Sequence, residues 1–148
     1  MEVQKDFREL LALFNAHDVD YLIVGAYALA FHGSPRYTGD MDIFVRPDPG
    51  NARRILSALV QFGFGSLGLT TDDFISQDKI VQLGVVPVRV DIITSLTGLS
   101  WEEAAASREK GSFGDVIVHY LGKSALIRNK HALGRRKDLA DLEALGEE

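Results

Sequence analysis

The sequence predicts an α/β (α+β) protein in which one mixed β-sheet is flanked by helices and two further helices close the chain. Short apolar runs typical of buried strands alternate with stretches whose apolar residues recur at helical spacing. With 148 residues, 46% of them hydrophobic and 25% charged, the chain has the composition of an ordinary globular protein. No repeat or low-complexity linker divides it, so we predict a single domain over residues 1–148.

The first part of the chain is expected to form a helix, a strand, a second helix and an acidic strand. Tyr21–Val24 is a continuous apolar run, as in a buried strand, and it leads into a helix that reaches Phe31. Gly33 and Pro35 would end that helix, and residues 38–45 form the acidic strand. The opening amphipathic helix is predicted from the spacing of Val3, Phe7, Leu10, Leu11 and Phe14.

Capping signals and apolar runs place the elements that follow. Asp48 before Pro49 predicts an N-cap and a first helical turn. Ser100 and Glu103 match a capping box at the start of a later helix. The remaining expected elements are strands at 79–83, 88–93 and 116–118 and closing helices at 124–133 and 137–145.

Composition and charge narrow the functional classes. No run of eighteen apolar residues is present, so we expect no transmembrane helix and no membrane partner. The charged first residues lack the apolar region of a signal peptide, and we expect a cytoplasmic location. Without cysteine, disulfides and thiolate metal sites are excluded. A net charge of −5 argues against a general nucleic-acid coat protein.

Three aspartates lie within predicted strands. Asp40 and Asp42 are two residues apart and therefore share a strand face, and Asp91 lies in the strand at 88–93. An unpaired carboxylate on a buried strand is costly, and a hard divalent cation with oxygen ligands would offset that cost. We therefore expect a magnesium site for phosphate chemistry. The alternative is a solvent-facing acidic pair at the start of a strand.

The spacing of these residues resembles the nucleotidyltransferase superfamily, which has the DNA polymerase β-like fold. Gly25-Ala26, thirteen intervening residues, Asp40-Met41-Asp42 and a later strand with Asp91 resemble its signature of a glycine turn, a paired-acid strand and a third acid. Ala26 stands where that pattern prefers glycine or serine. The segments 25–42, 126–130 and 135–142 are similar to small bacterial nucleotidyltransferases related to AbiEii-type toxins, and the resemblance covers residues 21–145.

This resemblance implies a metal-dependent transfer of a nucleoside monophosphate from a nucleoside triphosphate to a hydroxyl acceptor, with pyrophosphate leaving. Asp40, Asp42 and Asp91 would be the catalytic residues and would hold two Mg²⁺ ions about 4 Å apart, with Mn²⁺ as a substitute. Asp91 would also help to remove the proton of the acceptor. The implied acceptor is a tRNA end, a protein side chain or a small molecule. A second copy of the chain or a cognate antitoxin are candidate partners.

Five further residues are candidates for nucleotide binding. Gly25 and Ala26 form a strand–glycine–helix turn, which offers free N–H groups and a favourable dipole to a phosphate. Arg36 would neutralise the triphosphate or simply decorate a loop. Thr38 would steady the loop through its hydroxyl or serve a purely local turn. Lys130 suits a phosphate contact, with a surface lysine as the alternative.

Other charged residues allow two interpretations. Arg89 shares a strand face with Asp91, so it would pair with the acids when metal is absent or approach the nucleotide. Asp138 and Asp141 are expected to pair with Arg135 or Lys137 on the final helix. The basic cluster near the C-terminus is either a solvated helix face or a patch for triphosphate or an anionic acceptor. It consists of Arg128, Lys130, His131, Arg135, Arg136 and Lys137.

The sequence leaves two alternatives to an active transferase open. One is a catalytically degenerate module that senses nucleotide or binds a partner protein. The intact Asp40, Asp42 and Asp91 argue against this alternative, and Ala26 argues for it. The other is a phosphohydrolase that uses the same acids without an acceptor. Turnover separates a transferase from a sensor, because a sensor binds nucleotide and releases no pyrophosphate. A phosphohydrolase would release nucleotide products in water without an acceptor.

Overall fold

The computed structural model describes residues 4–35, 38–85 and 88–146, and the predicted mixed α/β fold is confirmed within them. Six strands form one sheet in the order β3-β4-β2-β1-β6-β5. The strands are β1 (Tyr21–Val24), β2 (Asp40–Val45), β3 (Ile80–Val85), β4 (Val88–Ile93), β5 (Glu109–Phe113) and β6 (Val116–Tyr120).

Six α-helices flank this sheet in the described part of the chain. Short helical turns at Val60–Phe64, Gly65–Leu67 and Thr71–Phe74 follow the third of them. In the described ranges no helix combines the length and the apolar character needed to cross a bilayer. The helices are α1 (Lys5–Ala16), α2 (Gly25–Phe31), α3 (Pro49–Leu59), α4 (Trp101–Ala106), α5 (Lys123–Leu133) and α6 (Arg136–Ala144).

The pairing of the central strands is what positions the acidic residues. β2 runs antiparallel to β1 and parallel to β4, so its start lies beside the start of β4 and the end of β1. In this register Asp42 is opposite Asp91, and Asp40 is opposite Arg89. Because side chains two apart share a face, all four project to the same side of the sheet. Met41, between the two acids of β2, is fully buried on the other side.

A continuous apolar core packs against the sheet. All four residues of β1 are buried, and α1 contributes one buried stripe, as its helical spacing predicts. Burying each such large apolar side chain stabilises the fold by about 1.5–3 kcal/mol. The stripe consists of Phe7, Leu10, Leu11 and Phe14, and the Val3 predicted to join it lies outside the described residues.

Hydrogen bonds at the start of α3 link the start of β1 to the end of β2. Asp48 caps the helix as predicted, accepting a hydrogen bond from the Asn51 backbone N–H at 2.7 Å. The fully buried Asn51 side chain accepts from the Asp20 N–H at 2.8 Å and donates to the carbonyls of Asp20 and Arg46 at 3.0 Å each. One amide side chain thereby makes hydrogen bonds to three backbone groups at the junction of two strands.

The structure departs from the sequence prediction at the β5–β6 edge. Glu109–Phe113 forms a strand that was not predicted, because its charged residues and glycine carry no local strand signal. It pairs antiparallel with β6, which extends to Tyr120 rather than ending at 118. A Cβ on Gly111 would collide with the rings of Phe31 and Tyr120, which stack at 4.1 Å. The other elements match their predictions to within one or two residues.

Candidate active site

Three carboxylates converge at the start of β2 and β4. Asp40, Asp42 and Asp91 each offer an oxygen atom, and these oxygens all lie within 4.8 Å of one another. Asp91 is buried at 8% exposure, and the two acids of β2 are half-buried. The arrangement follows from strand periodicity combined with the parallel β2–β4 register, since neither strand alone could bring three carboxylates together.

Two neighbouring side chains hold this acidic triad. The Arg89 guanidinium donates to Asp40 Oδ2 at 3.0 Å and to Asp91 Oδ2 at 3.3 Å. The Thr38 hydroxyl lies 2.9 Å from Asp40 Oδ1, so Thr38 orients the acid while it steadies the loop. The sequence left two interpretations of Arg89 open, and pairing with the acids is the one observed.

Gly25 lies where β1 ends and the chain approaches Asp42. It has a φ of +64°, in the left-handed region that favours glycine. A Cβ at this position would overlap the carboxylate of Asp42. Glycine is therefore required both for the turn into α2 and for the close approach of the acid to the backbone. The adjoining Ala26 is buried at the start of α2.

Two acids of the triad, Asp40 and Asp42, border a cleft of about 450 Å³. Gly25, Ala26 and Thr38 line it together with Asp40 and Asp42. The basic side chains of Lys79, Lys130, Arg135 and Lys137 also line the cleft, along with small polar residues that the sequence did not single out, namely Ser95, Thr97 and Asn129. Acidic and basic groups therefore face a common space, which suits a ligand that carries both a cation and phosphates.

Lys130 is buried at 4% exposure, so the alternative of a surface lysine is wrong. Its Nζ lies 3.3 Å from Asp138 Oδ1 and 3.0 Å from Asp141 Oδ2, which joins α5 to α6. Arg135 pairs with Asp138 at 2.6 Å, as predicted. Among the described residues, the ion pair of Asp141 is with Lys130 and not with the predicted Arg135 or Lys137, because α6 turns this acid toward α5.

Electrostatics at the site reflect burial and crowding of like charges. Burial, reinforced by Asp40 and Asp91, raises the pKa of Asp42 to about 6. Burial also raises the pKa of Asp91, against the opposing charge of Arg89. Burial alone would likewise raise the pKa of Asp138, but hydrogen bonds from Arg135 and Lys130 outweigh it and hold that pKa below its ordinary value.

The residues of the triad fit a hard divalent cation. The three carboxylates repel one another, and Oδ1 of buried Asp91 has no hydrogen-bond partner among the described residues. A cation with oxygen ligands would satisfy that atom and relieve the repulsion. The chemistry of the donor set favours magnesium or manganese over zinc, since neither histidine nor cysteine takes part.

Most of the residues predicted from sequence meet in this one region. Gly25, Ala26, Thr38 and Lys130 border the same cleft as Asp40 and Asp42, and Asp91 lies within the same cluster of acids. Arg36 lies outside the described residues. Sequence reasoning did not assign Lys79 to the cleft, since nothing distinguishes a lysine before a strand from any surface lysine.

Several solved structures share this fold. A candidate nucleotidyltransferase from Thermotoga maritima superposes with a TM-score of 0.64 at 14% identity, covering 93% of this chain and 88% of its own. The lincosamide antibiotic adenylyltransferase LnuA, solved with lincomycin bound, gives 0.58 at 15% identity over 99% and 98%. An antigenic nucleotidyltransferase-like protein from Paracoccidioides brasiliensis gives 0.56 at 16% identity over 97% and 75%.

These likenesses establish the nucleotidyltransferase fold of this chain. No protein-family model matches the sequence, and no curated protein matches it either. The narrower resemblance to AbiEii-type toxins therefore stays a prediction.

Replacing Gly25 by alanine should destabilise the protein beyond the ordinary cost of a positive φ. The backbone strain and the overlap with Asp42 together should lower the free energy of unfolding by about 2–4 kcal/mol. Urea unfolding measures the loss. Gly68→Ala is the matched control, because Gly68 has a similar φ of +72° but no atom near its added Cβ. Equal losses in the two variants would contradict the close approach of Asp42.

Asp42→Asn should stabilise the metal-free protein near neutral pH. Because the folded pKa of Asp42, about 6, exceeds its ordinary value of 3.8, the folded state binds more protons, and the wild type loses stability as pH rises through this window. The shift corresponds to about 3 kcal/mol. Urea unfolding in chelator should therefore show a gain for the variant near pH 7 that shrinks toward pH 4.

The control for this effect is Asp115→Asn, which removes an exposed carboxylate paired with Arg8. The Arg8 hydrogen bond lowers the pKa of Asp115, so this variant should show no gain at neutral pH. A pH-independent difference between wild type and Asp42→Asn would contradict the raised pKa.

Lys130→Ala should cost about 3–5 kcal/mol, because it removes a buried cation that contacts two buried carboxylates, Asp138 and Asp141. Thermal and urea unfolding would measure this loss, with exposed Lys123→Ala on the same helix as the control. A loss no larger than that of Lys123→Ala would show that the buried cluster does not hold α6.

Proposed function

We propose that this protein is a metal-dependent nucleotidyltransferase that moves a nucleoside monophosphate from a nucleoside triphosphate to a hydroxyl acceptor. The observation that carries the proposal is the convergence of Asp40, Asp42 and Asp91 beside a cleft that basic side chains also line. The nucleotidyltransferase fold of the chain supports it. Phosphoryl chemistry of this kind depends mainly on positioning and charge neutralisation, and these residues can supply both.

The acidic triad would hold the cation of the reaction. Asp40 and Asp42 project from β2 toward the cleft, and Asp91 stands opposite Asp42 on β4. Bound Mg²⁺ or Mn²⁺ would neutralise charge on the phosphates and on the attacking and leaving oxygens. Thr38 holds one oxygen of Asp40 in place, which limits the rearrangement that binding requires.

The basic side chains that line the cleft would bind the triphosphate. Arg135 and Lys137 line the cleft near the start of α6 and can pair with phosphate oxygens. Lys130 presents a charge that acts on Asp42 and is fixed by its two carboxylate partners. Gly25 and Ala26 keep the backbone close to the acids, so a phosphate can approach both at once.

Asp91 is suited to accept the proton of the acceptor hydroxyl. Burial raises the pKa of this carboxyl, which makes its ionised form a better proton acceptor than an exposed aspartate. The hydroxyl oxygen would form a bond to the α-phosphorus as the bond from that phosphorus to the β-phosphate bridging oxygen breaks. Pyrophosphate then leaves between the basic side chains of the cleft.

The acceptor would be a small hydroxylated molecule, a tRNA end or a protein side chain. LnuA, an antibiotic adenylyltransferase with lincomycin bound, shares the fold over nearly the full length of both chains. That likeness favours a small molecule as the first acceptor class to screen. A second copy of this chain or a cognate antitoxin would complete the site if the acceptor is larger.

One observation favours a non-catalytic module as the second candidate. Arg89 already contacts two of the three acids, an arrangement that would suit a nucleotide sensor without metal. Ala26, where the superfamily pattern prefers glycine or serine, points the same way. Such a module would bind nucleotide without releasing pyrophosphate.

The decisive experiment is a thermal-shift panel of wild type and Asp42→Asn with ATP, CTP, GTP and UTP, each with and without Mg²⁺. A nucleotide at about a hundred times its dissociation constant stabilises the folded state by about 2.7 kcal/mol, a rise of about 5 °C or more. We expect a magnesium-dependent rise with at least one nucleotide in the wild type and none in Asp42→Asn.

A pyrophosphate-release assay with the selected nucleotide and a panel of hydroxyl acceptors then measures transfer. Arg53→Ala, an exposed change on α3, is the control for non-specific effects. Full activity in Asp42→Asn would overturn the site assignment. Nucleotide binding without turnover over every acceptor class would favour the sensor.

A further inference from the structure

Arg89 occupies a position in the sheet that makes it the internal counter-ion of the acidic triad. It lies two residues before Asp91 on β4 and directly opposite Asp40 on β2. Its guanidinium therefore falls between these two carboxylates, at 3.0 Å from Asp40 Oδ2 and 3.3 Å from Asp91 Oδ2. Among the described residues no such ion pair reaches Asp42, the third member of the triad.

The contact of Arg89 with Asp91 is held by charge more than by hydrogen bonding. Arg89 Nε and Asp91 Oδ1 lie 3.2 Å apart, yet both are buried and neither makes a well-aligned hydrogen bond. A bidentate arginine–carboxylate pair would satisfy both atoms with parallel bonds. One guanidinium therefore offsets only part of the charge of two carboxylates, and in the described part of the chain Asp91 Oδ1 is left without a hydrogen bond and available to another cation.

Arg89 and a metal ion compete for the same carboxylate oxygens. We propose, on the basis of the function proposed above, that Arg89 holds Asp40 and Asp91 against metal until a metal–nucleotide complex arrives. Arg89 must then turn away from both acids. The phosphates that enter with the cation give the released guanidinium a new partner. After the exchange the carboxylates are paired with the metal ion and Arg89 is paired with phosphate.

This role makes Arg89 a positioning residue that couples metal binding to nucleotide binding. Metal alone must break two ion pairs and leaves Arg89 without an anion. Metal with nucleotide breaks the same pairs but supplies phosphate oxygens. By reciprocity, the nucleotide strengthens metal binding more in the wild type than in a variant without the guanidinium.

The test measures Mn²⁺ binding to the full chain. Electron paramagnetic resonance monitors this binding, because the signal of the free ion is lost when the ion binds. Without nucleotide, Arg89→Gln should bind Mn²⁺ about tenfold tighter than the wild type, because an opposite charge at this range shifts ionic equilibria by at least that factor. With a non-hydrolysable ATP analogue present, the difference between the two should shrink.

Two variants control for charge and for folding. Arg89→Lys keeps the positive charge and should stay close to the wild type. Arg46→Gln removes an arginine that pairs with Asp48 just beyond the far end of β2, and it should leave Mn²⁺ affinity unchanged. Circular dichroism and thermal unfolding verify that each variant is folded.

The outcomes separate this inference from the proposed function. If the wild type binds Mn²⁺ with nucleotide but Arg89→Gln binds Mn²⁺ alone no tighter, Arg89 does not compete with metal and only the present inference is overturned. If no variant binds Mn²⁺ with or without nucleotide, the proposed function fails, and the role of Arg89 fails with it.

Discussion

Three carboxylates with oxygens within 4.8 Å repel one another, and the pairing of β2 with β4 holds them in place. Much of the surrounding structure compensates for that repulsion. Arg89 supplies a positive charge, Thr38 fixes an oxygen of Asp40, and Lys130 adds an opposing charge that acts on Asp42. Burial, reinforced by the charges of Asp40 and Asp91, still raises the pKa of Asp42 to about 6 despite these neighbours. A site of this kind is stable only where the strands are fixed by a large core on their other face.

Local signals account for the part of the fold that the sequence predicts well. The buried run of β1 and the caps at Asp48 and Ser100 depend on residues within a few positions of one another, so they can be read without knowing the tertiary structure. β5 has no such signal. It is a strand because β6 offers it a partner and because Gly111 fits beneath two stacked rings, and both causes lie elsewhere in the chain.

The distinction between local signals and causes elsewhere in the chain also applies to the candidate site. The spacing of Asp40 and Asp42 predicts a shared strand face, and spacing on a helix predicts the pairing of Arg135 with Asp138. The burial of Lys130 could not be predicted, because its partners come from a second helix whose packing decides which acids point inward. The pairing of Arg89 with Asp40 likewise depends on the register between two strands, which no local pattern encodes.

The alternation of side chains along β2 has a consequence for how such a site can vary. Met41 is fully buried between two acids that face the cleft, so core and site residues share one strand without a spacer. Insertion or deletion of one residue in this strand would exchange the two sets, burying carboxylates in the core and exposing apolar groups to water. Variation in length is therefore tolerated in the connecting loops, while the strand itself can change only by substitution.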